Sequence, residues 1–254
     1  MRGQHMRPLI AGNWKMNGLA AQLDEIKTLA ALVSASPPFA DVLICLPATL
    51  IASAVTAANE RFAIGGEDCS PETAGAFTGD ISAEMLKDAG ASAVIVGHSE
   101  RRQHHAETDA IVLAKASAAL SAGLLAIICI GESKAQRDAG KALTVCGGQI
   151  NGSVPKGMAF SDIAIGYEPL WAIGSGQMPT SDEIAHVHSH IRSCLVTLLG
   201  AAGEKVRILY GGSVKPSNAG PILALAEVGG VLVGGASLTA KDFGAIIKAS
   251  LATA

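Results

Sequence analysis

The chain alternates short, continuous apolar runs with longer segments in which apolar residues recur every three or four positions. The runs are rich in Val, Ile and Leu and are too short for amphipathic helices, so each is predicted to be a β-strand buried on both faces. The eight predicted strands are Pro8–Gly12, Val42–Leu46, Ala63–Gly66, Ala93–Gly97, Leu124–Ile130, Ile163–Tyr167, Arg207–Tyr210 and Val231–Gly234.

The segments between the strands have the apolar spacing and the Ala content of α-helices. Ser181 is a predicted helix start, because the acidic Asp182 and Glu183 that follow it suit a first turn. The predicted helices are Leu19–Ser34, Ser82–Ala89, Thr108–Ala122, Glu132–Ile150, Ser181–Leu199 and Lys241–Leu251.

Strands that alternate with helices predict parallel βαβ units in an α/β protein. A length of 254 residues is typical of a (β/α)8 barrel, although a doubly wound sheet uses the same unit and stays open on periodicity alone. No linker-like segment divides the chain. We therefore predict a single barrel domain over residues 7–254, preceded by a disordered leader at residues 1–6.

Composition argues against several classes of partner. The net charge is −3 without a basic stripe, so no nucleic acid partner is expected. No apolar stretch is long enough to span a bilayer, and the N-terminus lacks the apolar core of a signal peptide. The five cysteines form no CxxC pair, which favours reduced thiols and a cytoplasmic location.

Polar residues that follow the predicted strands would meet at the C-terminal face of a barrel, where catalytic loops lie. Asn13 and Lys15 follow the first strand and suit an anionic substrate. His98 follows the fourth strand, and Glu168 ends the apolar run of the sixth. Each of these residues, taken alone, also fits a structural or solvated role, so their common placement carries the functional interpretation.

Two further segments complete this pattern. The apolar, glycine-containing stretch 169–176 after Glu168 suits a hinged lid that excludes water. The Gly-Gly pairs at 211–212 and 234–235 follow the seventh and eighth strands, where backbone N–H groups often bind phosphate in barrels.

The histidines are not expected to bind a metal. His186, His188 and His190 lie in a predicted helix, but no carboxylate or cysteine is placed to complete a site, and the segment resembles a polar helical face. His104 and His105 fall in a polar stretch and are expected to be solvated. We predict neither a metal nor a cofactor.

Six motifs in this chain resemble the triosephosphate isomerase family, in the same order and over nearly the whole length. The resemblance implies a TIM barrel rather than a doubly wound sheet. It also implies interconversion of dihydroxyacetone phosphate and D-glyceraldehyde 3-phosphate through an enediolate, in glycolysis and gluconeogenesis. The motifs are Ala11–Asn17, Gly75–Ser82, Val96–Arg102, Tyr167–Gly174, Tyr210–Val214 and Val233–Leu238.

The resemblance also implies roles for individual residues. Glu168 would be the base and neutral His98 the electrophile, a pairing for which this family is the standard example. Lys15 and Asn13 would stabilise the developing oxyanion. Backbone N–H groups would bind the phosphate at Gly174, Ser213, Gly234 and Gly235.

The lid and its support follow from the same resemblance. Ile173 and Leu232 would enclose the carboxylate of Glu168 in apolar surroundings. The remaining supporting residues would be Trp171, which moves toward Glu132 on closure, Tyr210, which matches the tyrosine that latches the lid in many relatives, and Glu100.

A homodimer is also implied, because Gly75–Ser82 resembles a loop that inserts Phe77 and Thr78 into a partner subunit. Glu67 and Asp68 stand where many relatives have amides, and they add acidity near the expected interface. Pro179 stands where many relatives supply an N–H to the tyrosine that matches Tyr210, and proline has none.

Two other functions fit parts of the pattern. Lys15 could form a Schiff base in a phosphate-binding aldolase, and a degenerate barrel could serve only to bind partners. Glu168 and the lid favour proton transfer over Schiff-base chemistry. The intact set of family residues disfavours a barrel that has lost its activity.

Overall fold

Eight parallel β-strands close into a barrel in the computed structural model, which describes residues 7–157, 159, 161–174 and 177–250. The strands are β1 (Leu9–Asn13), β2 (Asp41–Leu46), β3 (Ala63–Gly66), β4 (Ala93–Val96), β5 (Leu125–Ile130), β6 (Ile163–Tyr167), β7 (Arg207–Tyr210) and β8 (Gly230–Val233). Each strand pairs with its neighbours in chain order, and β1 also pairs with β8. The barrel therefore has no free edge.

Helices connect the strands and pack around the outside of the barrel. They are α1 (Leu23–Ala35), α2 (Ile51–Ala58), α3 (Ala83–Asp88), α4 (Ser99–His104), α5 (Asp109–Ser121), α6 (Lys134–Asp138), α7 (Ala142–Ser153), α8 (Ser181–Leu199), α9 (Ala219–Leu223) and α10 (Ala240–Ala249). Short 3-10 turns occur at Ala20–Gln22, Ala48–Leu50, Leu170–Ala172, Gly200–Lys205 and Gly235–Ser237.

The strand residues divide between two apolar layers. Alternate residues such as Ile10 point outward and pack against helix residues such as Ile26 and Phe243. The others, which include Ala11 and Ala164, fill the inside of the barrel. Because both faces of every strand are buried, the strands are continuous apolar runs rather than alternating patterns.

The predicted strands are confirmed, with ends that agree within one residue. The single predicted helix Glu132–Ile150 is wrong, because the segment forms the separate helices α6 and α7. Ser133 and Gln136 form a capping box at the start of α6, and Gly140, at φ 69°, follows its end. A glycine in the left-handed conformation commonly ends a helix. The spacing of apolar residues does not indicate such an ending.

The predicted leader at residues 1–6 lies outside the described residues, as does the end of the predicted helix Lys241–Leu251. No helix within the described part of the chain is both long and apolar enough to cross a membrane.

Gly230 provides a test of barrel closure. It begins β8 at φ 148°, and a Cβ there would overlap the backbone of its β1 partner Leu9. We expect Gly230→Ala to lower the free energy of unfolding by about 2 kcal/mol or more, from strain and lost strand pairing. Denaturant unfolding monitored by circular dichroism measures this change.

The matched control is Gly148→Ala on the exposed face of α7, where an added Cβ meets no atom within 4 Å. This variant should be more stable by about 0.5–1 kcal/mol, because alanine loses less entropy than glycine in a helix. Similar effects of the two substitutions would contradict the role of Gly230 in closure.

Candidate active site

A cavity of about 690 Å³ opens at the C-terminal end of the barrel. The four residues predicted to act on the substrate all line it, although they come from three different strand ends. The predicted phosphate-binding positions line the same cavity. These lining residues are Asn13, Lys15, His98, Glu168, Gly174, Ser213, Gly234 and Gly235.

Glu168 follows β6 directly, and its side chain is only 2% exposed. Oε1 lies 2.9 Å from Nε2 of His98 and accepts the hydroxyl of Ser99 at 2.9 Å, while Oε2 accepts the backbone N–H of Ser99 at 3.0 Å. Burial raises the pKa of Glu168, but His98 and Ser99 outweigh burial, so its pKa lies below the ordinary value. The carboxylate is therefore ionised at neutral pH and able to accept a proton.

His98 is the N-cap residue of α4, and its ring is buried beside Glu168. Nδ1 accepts the backbone N–H of Glu100 at 3.3 Å. A ring nitrogen that accepts a hydrogen bond carries no proton, so this contact favours the neutral tautomer with its hydrogen on Nε2. The Nε2 hydrogen of His98 then points to Oε1 of Glu168, 2.9 Å away in the wall of the cavity.

Gly97 sets the backbone conformation of the turn between β4 and α4. Its φ is 66°, a left-handed conformation that favours glycine. The guanidinium of Arg102 holds the turn from outside, because its Nε donates to the Gly97 carbonyl at 2.9 Å.

Lys15 is held in a strained conformation at the mouth of the cavity. Its φ of 56° is uncommon for a non-glycine residue and costs about 1–3 kcal/mol. The side-chain oxygen of Asn13 accepts its backbone N–H at 3.1 Å, and its ammonium lies 2.6 Å from Oε1 of Glu100. Asn13 and Glu100 therefore position a cation beside the catalytic candidates.

The loop after β8 presents backbone rather than side chains to the cavity. Gly234 and Gly235 are followed by Ser237, whose hydroxyl donates to the Gly234 carbonyl at 2.7 Å. The indole of Trp14 donates to the Ser237 carbonyl at 3.0 Å. These bonds fix glycine amides at a wall where an anion could approach them.

The predicted lid is described only in part, because Ser175 and Gly176 lie outside the described residues. Ile173 and Leu232 line the same cavity as Glu168. The indole of Trp171 already donates to Oε1 of the fully buried Glu132 at 2.9 Å. The Trp171–Glu132 contact, which was expected on lid closure, is therefore present while Ser99 still donates its two hydrogen bonds to Glu168.

Tyr210 has no latch partner within the described part of the chain. Its hydroxyl oxygen is buried without a hydrogen bond, and Pro179, the position expected to match, is itself buried. The same buried region contains Tyr167, whose hydroxyl donates to Glu132 at 3.2 Å.

A second cavity of about 700 Å³ borders Lys15 on the side of Glu67 and Asp68. Burial raises the pKa of Glu67 to about 8, and its Oε1 has no hydrogen-bond partner among the described residues. Asp68 lies 2.7 Å from the ammonium of Lys115. Phe77 and Thr78 are exposed on the predicted dimer loop.

Other predictions have mixed outcomes. His104 and His105 are exposed, as expected. The prediction that His188 lies on a polar helical face is wrong. The residue is fully buried, and its Nδ1 lies 3.2 Å from the Glu227 carbonyl oxygen. Burial lowers its pKa to about 4. No group of three or more metal-ligating side chains occurs among the residues that were searched, which are the described ones.

Sequence reasoning missed Ser99, which supplies two of the hydrogen bonds to Glu168. Its position next to His98 is the one signal in the sequence that could have indicated this role. Arg137 was also missed, because a charged residue on a predicted helix ordinarily indicates a solvated face.

Comparisons with known proteins are consistent with this arrangement. A family model described as Triosephosphate isomerase matches residues 8–250. The chain is 57% identical over 245 residues to the triosephosphate isomerase of Afipia carboxidovorans, covering 96% of this chain and 98% of that protein. It is 58% identical over 243 residues to that of Hyphomonas neptunium, covering 95% and 98%.

A solved structure gives the same result. The crystal structure of triosephosphate isomerase from Bartonella henselae matches with a TM-score of 0.90 and 47% identity, covering 96% of this chain and 99% of that chain.

Removal of the unpaired hydroxyl tests the environment of Tyr210. We expect Tyr210→Phe to leave the free energy of unfolding unchanged within about 0.5 kcal/mol, or to raise it, because the hydroxyl has no hydrogen-bond partner among the described residues. It should also cost little turnover, and a hundredfold fall in kcat, about 2.7 kcal/mol, would contradict this. Denaturant unfolding and steady-state kinetics measure the two effects.

Tyr167→Phe is the matched control, because it removes a hydroxyl that donates to the buried carboxylate of Glu132. It should cost about 1–3 kcal/mol. Equal losses of stability in the two variants would show that Tyr210 is also paired.

Proposed function

We propose a mechanism from the premise that the chain belongs to the triosephosphate isomerase family, whose model matches residues 8–250. The chain is an isomerase that interconverts dihydroxyacetone phosphate and D-glyceraldehyde 3-phosphate, a step of glycolysis. We also propose a cytoplasmic location, because glycolysis takes place there. The roles of individual residues below are part of the proposal.

Glu168 is the base. Its carboxylate removes a proton from the carbon that bears the hydroxyl next to the carbonyl of dihydroxyacetone phosphate, which forms an enediolate. Return of the proton to the neighbouring carbon gives the aldehyde product. The observation that carries this assignment is an ionised carboxylate, only 2% exposed, at the centre of a cavity that also holds His98 and Lys15.

Glu168 has to leave its present partners to act. Its oxygens are occupied by His98 and Ser99, so it cannot also approach a carbon atom. Movement toward the substrate breaks these bonds while burial remains, and burial alone raises the pKa of a carboxyl group. The base therefore becomes stronger when it reaches the substrate.

His98 and Lys15 stabilise the negative oxygens of the enediolate. The neutral ring donates its Nε2 hydrogen toward the carbonyl oxygen, and Lys15 supplies a positive charge. Asn13 holds the backbone of Lys15 at 3.1 Å. Lys15 forms an ion pair with Glu100, an arrangement that suits a charged ammonium rather than the free amine of an aldolase.

The phosphate binds to backbone amides on the far wall of the cavity. Glycine allows an anion to approach the backbone closely. The lid contributes one such glycine, Gly174. The proposed amides belong to Gly174, Ser213, Gly234 and Gly235.

Closure of the lid protects the intermediate. An enediolate that carries a phosphate can expel it, so the phosphate has to be held while the proton is transferred. Ile173 on the lid and Leu232 at the base of the cavity then exclude water from Glu168.

Substitution of Glu168 tests this mechanism. We expect Glu168→Gln to lower kcat by about a thousandfold, within the range for loss of a general base, and Glu168→Asp to lower it less. A coupled spectrophotometric assay measures both rates. Glu204→Gln is the control, because Glu204 is an exposed carboxylate that precedes β7 at the other end of the barrel.

Retention of wild-type kcat in Glu168→Gln would exclude Glu168 as the base. Borohydride treatment with substrate separates the aldolase alternative. An isomerase leaves no covalent adduct, whereas a Schiff base at Lys15 would be reduced to a stable one.

A homodimer is the proposed assembly. Met16 is 97% exposed and Phe77 is 48% exposed. Met16 lines the second cavity beside Lys15, and Phe77 lies on the loop that is expected to enter a partner subunit. Large apolar side chains in such positions commonly mark an interface between chains. The second cavity, of about 700 Å³, has room for a loop of a partner subunit.

Glu67 should make this dimer sensitive to pH. Burial is the main cause of its raised pKa, Lys15 opposes it, and Glu100 adds to it. A carboxyl whose pKa is raised from 4.5 to about 8 in the folded chain binds more protons when folded, so folding stability is lost as pH rises between these values. A partner loop in the second cavity would bury Glu67 further and raise its pKa again, so association would weaken as Glu67 of the free subunit ionises near pH 8. We expect the dimer dissociation constant to rise about threefold from pH 5.5 to 8, measured by analytical ultracentrifugation.

Glu67→Gln should remove most of this pH dependence, because the amide does not titrate. A dissociation constant that is the same at both pH values in the wild-type chain would contradict the prediction.

A further inference from the structure

Arg137, on the short helix α6, lies between the two ends of the lid. The lid begins after Glu168 and ends at Thr180, where α8 starts. One guanidinium group contacts residues at both ends, although α6 itself is not part of the lid. The side chain is largely covered, with 21% of its surface exposed.

The first set of contacts fixes the beginning of the lid. The guanidinium carbon of Arg137 lies 4.4 Å from the centre of the Trp171 ring, within the range of a cation–π contact. Its Nη1 lies 3.3 Å from Oε1 of Glu132, the same oxygen that accepts the Trp171 indole. Arg137 therefore neutralises a buried carboxylate and covers the ring that this carboxylate holds.

The second set fixes the end of the lid. Nη2 of Arg137 lies 2.5 Å from Oε1 of Glu183. The other oxygen of Glu183 accepts the backbone N–H of Thr180 at 2.7 Å and its hydroxyl at 3.1 Å. Glu183 thus caps the first turn of α8 and connects that turn to Arg137.

We propose that Arg137 is a positioning residue that couples the two hinges of the lid, Trp171 at one end and Thr180 at the other. This role rests on the proposed function, because it concerns the lid that closes over Glu168. A planar guanidinium can stack on a ring and donate to two carboxylates at once, which a lysine cannot do. With both hinges held to one group, neither end can move without the other.

Loss of this coupling should release the intermediate before the proton returns. The electron pair of the enediolate then breaks the C–O bond to phosphate, and the phosphate leaves with the bonding pair. The remaining enol tautomerises to methylglyoxal. Inorganic phosphate released per isomerisation event therefore reports how well the lid holds the intermediate, independently of how much enzyme is folded.

The test compares Arg137→Met and Glu183→Gln with the wild-type chain. We expect Arg137→Met to lower kcat about tenfold and to raise phosphate release per turnover about fivefold. Glu183→Gln should change both in the same direction but less, because glutamine can still cap α8 while it loses the ion pair. Arg137→Lys should recover only part of the loss, because it restores the charge without the planar group.

Lys134→Met is the matched control on the same helix. It removes a cation whose ion pair among the described residues is with the exposed Asp138, at 2.9 Å, and should leave both quantities at their wild-type values. The variant that combines Arg137→Met with Glu183→Gln should be no worse than Arg137→Met alone, since both substitutions break one connection.

Unchanged phosphate release per turnover in Arg137→Met would overturn the proposal, even if kcat falls. If that variant does not fold, because Glu132 is left buried without its cation, Glu183→Gln decides the matter by the same readout. These outcomes are separate from the mechanism at Glu168, which is tested by Glu168→Gln.

Discussion

The pairing of β1 with β8 is the constraint on which the rest of the structure depends. It closes the sheet, so all eight strands deliver their C-terminal ends to one rim. Residues far apart in the chain, such as Asn13, His98 and Glu168, consequently line one cavity. Closure also buries both faces of every strand, and the inside of the barrel is filled by large and small apolar side chains such as Leu209 and Ala164. The same requirement that makes the strands apolar leaves the loops after them as the place for polar chemistry.

At that rim, the chemistry depends on a balance between burial and hydrogen bonding at Glu168. Burial disfavours the charge of the carboxylate, whereas His98 and the two donors of Ser99 favour it, and these contacts prevail. The carboxylate is therefore kept ionised until it is used. A group held in this way can be both a stable anion at rest and a strong base on the substrate, because the stabilising contacts are lost while burial is kept.

In the proposed mechanism, the lid converts this local balance into a conformational step. Its first hinge is tied to the buried Glu132 through Trp171, and its second begins the capping box of α8 at Thr180. Arg137 contacts both ends, and in the proposed mechanism these contacts on the outside of the barrel govern access to the cavity inside. Tyr210, whose hydroxyl is unpaired within the described residues, contributes packing here rather than a bond to Pro179.

The eight strands, the order of the elements and the placement of Glu168, His98 and Lys15 after the strands could all be predicted from the sequence, because apolar runs and strand-end residues are local features. Resemblance to a family was needed to separate a barrel from a doubly wound sheet, since both repeat the same unit. Which side chains contact each other became visible only in the three-dimensional structure. The bonds of Ser99 to Glu168 and the position of Arg137 join segments that are distant in the chain, and no local pattern encodes such contacts. The split of the predicted helix at Gly140 and the burial of His188 depend likewise on backbone angles and packing that periodicity does not record.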